Sequence, residues 1–181
     1  MENIITKTSK ITPTRKIVIC GLLIAVGIVL PSVLHLSGLP GGPVLLPMHL
    51  PVFLAGLLCG GPYGAIVGAV LPVISTLLTG MPKIFPTMPM MIVELAVYGL
   101  VSGLLYKKRT NLNVMLALIG AMIAGRIANA IVLLFMGAVL GLSVPPMASV
   151  ITSIATGLPG IVTQLLLVPV VVRLVNHYDA K

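Results

Sequence analysis

The chain has 181 residues, 58% of them hydrophobic and 8% charged, and its mean hydropathy is +1.19. A water-soluble domain carries roughly a quarter charged residues, so this composition excludes a soluble domain and indicates an integral membrane protein. The net charge of +8 does not argue for nucleic acid, because the basic residues stand at the ends of apolar runs and not in a patch with interleaved aromatics.

Residues 1–16 are polar and carry Lys7, Lys10, Arg15 and Lys16, and read as a cytoplasmic tail. The apolar run that follows is long and shows no persuasive cleavage site, so it reads as a retained first helix and not as a signal peptide. From Ile17 to Pro82 there is no Lys, Arg, Asp or Glu. As helix, that stretch would make roughly three crossings of a 30 Å hydrocarbon core, so Gly and Pro must mark the breaks.

The first span is expected at about Ile17–Leu36, followed by the Gly- and Pro-rich connection Ser37–Pro43. A second span at about Pro47–Cys59 is short for a full crossing. Gly60-Gly-Pro62 makes a tight turn into a third span ending near Leu78, with Pro62 suited to an early helical position. After the Pro-punctuated loop Thr79–Pro86, a fourth span, about Thr87–Tyr106, ends on Lys107-Lys-Arg109. A fifth runs over about Leu112–Val139, a loop covers Gly141–Pro146, and a sixth at about Ser149–Val172 ends at Arg173. The expected fold is an all-α membrane protein, a six-transmembrane-helix bundle over residues 17–175. A short tail, 176–181, follows it.

Charge bias orients the bundle. With the N-terminus inside, the cytoplasmic side holds Lys7, Lys10, Arg15, Lys16, Lys107, Lys108, Arg109, Arg173 and Lys181, against Lys83 alone outside. Both termini are then cytoplasmic, as an excess of Lys and Arg on that side requires. At this length the chain is expected to be one bundle without an appended nucleotide-binding domain.

Two charges lie inside the apolar spans. Arg126 sits in the middle of the fifth, with Asn129 one turn along the same face, and Glu94 sits in the fourth. An arginine at a helix centre costs about 2.5–3.5 kcal/mol on insertion scales, and such residues face a partner, a ligand or a water-filled cavity. Counting 1.5 Å per residue puts Glu94 and Arg126 at a common depth, roughly 10 Å below the outer surface. The outer connections bring His49, Thr79 and Thr87 toward the same mouth, and Gln164 lies in the sixth span. Together these residues form a candidate substrate pocket open to the outside. Two readings of the charges remain: Glu94 and Arg126 pair only to fasten two helices, or they contact a ligand. Gln164 is equally suited to bonding across helices.

Small residues recur at spacing four. The rows Gly60/Gly64/Gly68, Gly99/Gly103 and Ala117/Ala121/Gly125 read as packing between helices of the bundle. Gly21 and Ala25, on the first helix among apolar neighbours, could equally face a partner. Cys20 and Cys59 read as small buried hydrophobes. His35 and His49 show no metal-site spacing.

Several chemistries are missing. The chain has no phosphate-cradling Gly-rich loop with Lys and Ser or Thr, hence no ATPase site of its own. It lacks paired carboxylates, a zinc-protease helix and a Ser-His-Asp arrangement, so it does not read as an enzyme and calls for no cofactor. Two ionisable groups make a poor proton relay, and no convincing internal repeat suggests a secondary carrier.

The six-span layout, the small row on the first helix, Leu57-Leu-Cys-Gly-Gly-Pro-Tyr-Gly-Ala-Ile-Val-Gly68 and Glu94-Leu-Ala-Val-Tyr-Gly-Leu-Val-Ser-Gly-Leu-Leu-Tyr106 resemble the substrate-binding S components of energy-coupling factor (ECF) vitamin transporters. The resemblance covers about Ile17–Arg173. It implies high-affinity capture of a vitamin or precursor from outside. It also implies docking through the first helix, at Gly21 and Ala25, onto a transmembrane T subunit driven by two ATP-binding-cassette subunits. That family often has alanine at both small positions, and Gly21 departs from this while staying small. Within the family the chain looks closest to the pantothenate-like branch, with Arg126 and Asn129 suited to a carboxylate beside hydroxyl or amide groups. A Glu94 left free of Arg126 would instead suit a vitamin B6 form or a thiamine precursor. The alternative class is a stand-alone secondary carrier for a small organic anion.

Overall fold

The computed structural model describes residues 12–36, 44–106, 111–141 and 146–178. Those residues form six helices: α1 Pro13–Leu36, α2 His49–Cys59, α3 Gly61–Thr79, α4 Thr87–Leu105, α5 Asn111–Leu140 and α6 Pro146–Tyr178. Five of them are long and apolar enough to cross a membrane, and α2, with 11 residues, is the exception. The all-helical expectation and the order of the elements hold. The connection Ser37–Pro43, the basic cluster Lys107–Arg109, most of the 1–16 and 176–181 tails and the centre of the 141–146 loop lie outside the described residues.

The short α2 is the innermost element. All of its residues except Leu50 and Leu58 are buried, as a helix apolar on every side requires. α1, α3, α4 and α6 pack around it, while α4 also lies against α3 and α5. Val52, Phe53 and Ala55 of α2 meet Leu71, Leu95, Tyr98, Ala117, Leu118 and Val168 in the core, and Cys20 and Cys59 are buried there as free thiols.

α3 and α4 are joined by a seam of glycine. A Cβ on Gly64 would fall 2.5 Å from the Gly99 carbonyl, and one on Gly68 would strike the backbone at Leu95. Gly64, Gly68, Gly99 and Gly103 therefore serve packing within the bundle, the close approach that small residues permit in lipid, whereas Gly60, with φ 104 and nothing within 4 Å, belongs to the turn between α2 and α3 and not to the seam. α1 behaves otherwise. It is the least buried span, and Gly21 has nothing within 4 Å of where a Cβ would stand.

Ahead of α2, residues Val44–Met48 form an irregular strap laid on α6. Gly160 donates its amide to the Val44 carbonyl at 2.9 Å, and a Cβ there would sit 2.7 Å from the Leu45 carbonyl. Pro159, inside α6, lacks an N–H of its own, which loosens the helical ladder at the point where the strap is held. Gln164 Nε2 adds a bond to the Leu46 carbonyl at 3.2 Å. Gly160 stands about 13 Å along the helix from Ile151. Irregular backbone is tolerated at membrane depth only where protein satisfies its polar groups, and these bonds do so.

Candidate functional site

Glu94 and Tyr98 are one turn apart on α4, so both side chains leave the same face. Tyr98 donates its hydroxyl to Glu94 Oε1 at 2.6 Å, and its ring lies against Gly125 of α5, where any side chain would collide with it. From α5, Asn129 donates to Glu94 Oε2 at 2.5 Å and Arg126 Nη1 stands 3.0 Å from Oε1. The same Nη1 donates to Ser153 Oγ of α6 at 3.1 Å. Two charges that are costly alone in a membrane are thus closed into one network joining α4, α5 and α6. Glu94 is 5% exposed and Asn129 8%, so little of either faces solvent or lipid. The sequence left open whether Glu94 pairs with Arg126; the structure pairs them.

Beside this network lies a cavity of about 540 Å³, within the size range of small-molecule sites. Its inner wall is Leu46 of the strap, His49 of α2, Tyr98 of α4, Arg126 of α5 and Gln164 of α6. The opposite wall is apolar, with Ile119, Met122, Ile123, Ile127 and Ala130 from α5 and Ile154, Ile161 and Leu165 from α6. Ile123 and Ile127 are each 57% exposed, so the cavity opens sideways where α5 and α6 part.

His49 begins α2 and is buried, its ring 5.3 Å from that of Tyr98, which in turn stacks on Phe53 at 5.1 Å. Its Nδ1 is buried with no hydrogen-bond partner among the described residues. The Leu46 carbonyl beside the ring already accepts the His49 amide at 3.0 Å as well as Gln164. Leu46 itself has φ 48, the one non-glycine residue with a positive φ among those described. Backbone strain of this kind persists where surrounding contacts over-determine it, and it clusters at ligand sites.

The residues singled out by sequence divide accordingly. Arg126, His49 and Gln164 line the cavity, and Glu94, itself held by Asn129, pairs with Arg126. Thr79 and Thr87 do not reach it. Thr79 is exposed and turns its hydroxyl back to the Ser75 carbonyl at 2.8 Å, and Thr87 is exposed at the start of α4. The depth count brought both to the outer mouth but could not tell which side of the bundle they occupy. Gly21 and Ala25 sit on the exposed face of α1, away from the cavity. The side chain of His35 is outside the described residues.

Sequence reasoning missed Tyr98, Ser153 and Leu46. Tyr98 had a readable signal, since it stands four residues from Glu94 and a buried phenol needs an acceptor. Among the described residues no three His, Cys, Asp or Glu side chains come close enough to hold a metal.

No curated protein and no solved structure matches the chain. A family model does: that of the ECF transporter, substrate-specific component, over residues 15–172, from the first turn of α1 into the last third of α6. The chain belongs to the substrate-specific components of ECF transporters, a multi-pass membrane subunit of a transporter and not an enzyme.

Proposed function

We propose that the chain captures a vitamin-sized organic molecule from the outer side in the cavity between α5 and α6, and releases it only when docked on its partners. One observation carries the reading: a cavity of about 540 Å³ combines an apolar wall with a buried polar one, and its histidine nitrogen lacks a partner. Small-molecule sites have this form, mostly apolar with a few placed polar groups. On this reading His49, Arg126 and Gln164 meet the molecule, while Glu94 and Asn129 set the position of Arg126.

Family membership supplies the partners, an ECF module in the membrane. The exposed Gly21–Ala25 face of α1 suits close approach of a transmembrane helix, which small residues favour in lipid. The distribution of Lys and Arg supports cytoplasmic termini, so the strap and the outer ends of α5 and α6 face the source of substrate. Pantothenate, suggested by the resemblance, would set its carboxylate beside Glu94 on the one Arg126 guanidinium, or displace Glu94 from it. The 3.0 Å pairing favours a vitamin or precursor that leaves it in place.

Filling the cavity tests this. Ala130→Trp puts an indole into the cavity from α5, one turn beyond Arg126. Native mass spectrometry of the purified chain should show a retained small molecule in the wild type and none in the variant, at similar melting temperature. A molecule retained equally by both would place capture elsewhere.

A further inference from the structure

We infer that the cavity takes a molecule of no net charge, largely apolar or aromatic, that presents one hydrogen-bonding group to His49 Nδ1; this names the substrate class of the capture site proposed above and rests on that proposal. Arg126 is the one residue with a permanent charge that lines the cavity, and its charge is already balanced by Glu94. Its Nη1 lies 3.0 Å from Glu94 Oε1 and 3.1 Å from Ser153 Oγ. A substrate carboxylate brought to the same guanidinium would set two anions against one cation at membrane depth, and an uncompensated buried charge is strongly unfavourable. A substrate ammonium fares no better, because Glu94 does not line the cavity and both of its oxygens already accept hydrogen bonds. The charges of the site cancel within the protein.

The open valence lies elsewhere. His49 is 5% exposed, and its Nδ1 is the one buried side-chain nitrogen or oxygen without a partner among the described residues. The polar group nearest the ring is the Leu46 carbonyl, which the His49 amide and Gln164 already share, so it offers the imidazole only a weak interaction. An imidazole nitrogen accepts a hydrogen bond when bare and donates one when protonated; His49 lines the cavity, and a turn of its ring would bring the buried Nδ1 to a hydroxyl, carboxamide or ring nitrogen on the substrate. Leaving that nitrogen unmet costs desolvation that a bound group recovers. Apart from Arg126 and Gln164 the cavity surface is apolar and, at Ile123 and Ile127, open toward the lipid side. It offers contact area to an apolar skeleton and no partner for a second charge.

Matched probes separate the possibilities. The chain in detergent would be titrated with pairs in which an uncharged amide or hydroxymethyl group replaces a carboxylate: nicotinamide and nicotinate, pantothenol and pantothenate, lipoamide and lipoate, pyridoxine and 4-pyridoxate. The uncharged member of at least one pair should raise the melting temperature and bind at least ten times tighter than its carboxylate. His49→Phe, which keeps a ring but removes Nδ1, should weaken that probe about tenfold, the scale of one hydrogen bond. A carboxylate that binds tighter than its partner, or a panel in which no uncharged member binds, overturns the inference. The wild-type comparison decides even if His49→Phe does not fold. Should a carboxylate bind and Ala130→Trp abolish it, the capture site stands and only the uncharged class falls. Binding that Ala130→Trp spares removes the capture site itself.

Discussion

Glu94 receives Tyr98, Asn129 and Arg126 from two helices, and this arrangement makes its charge tolerable at 5% exposure. Removing one partner of a buried ion pair leaves the other charge uncompensated, at a cost of about 3–5 kcal/mol, while removing both can be nearly neutral. Arg126→Ala should therefore lower the melting temperature sharply, and Arg126→Ala with Glu94→Ala should regain at least half of the loss. Thermal unfolding of both single variants and the double checks this; a double variant less stable than either single would mean that the pair is not the unit. The scarcity of charge made Glu94 and Arg126 visible in the sequence, and helical spacing placed Asn129 beside Arg126. His49 was visible only as an outer-mouth residue. Its burial depends on α2 starting at that position and on the strap ahead of it, both products of packing that a local pattern does not encode.

At the scale of elements, the helices were legible because Gly, Pro and basic residues punctuate an otherwise continuous apolar chain. α2 was read as short, and 11 residues confirm it, but its place at the centre of the bundle was not readable. Nor was the strap, since the bond from Gly160 to Val44 joins segments more than a hundred residues apart. The small-residue rows looked alike in sequence and separate in the structure. Gly64, Gly68 and Gly99 are sealed between α3 and α4, whereas Gly21 on α1 faces open space. Gly21→Leu or Ala25→Leu should thus leave substrate affinity within about twofold while abolishing transport by the assembled importer, because a bulky side chain blocks close helix approach in lipid. Affinity that fell in step with transport would assign the row to packing within the bundle.

At the scale of the whole molecule, the proposed role is capture without propulsion: a neutralised, laterally open cavity in a family whose members work with an ECF module. On the function proposed above, hydrolysis belongs to the ECF module that family membership implies. The most direct measurement is uptake into sealed vesicles of the molecule extracted from the purified chain. Vesicles holding this chain alone, under a proton or sodium gradient, should bind it at no more than one per chain and accumulate none. Adding the T subunit and the two ATP-binding-cassette subunits with ATP should give concentrative uptake. Gradient-driven accumulation by the chain alone would contradict the account.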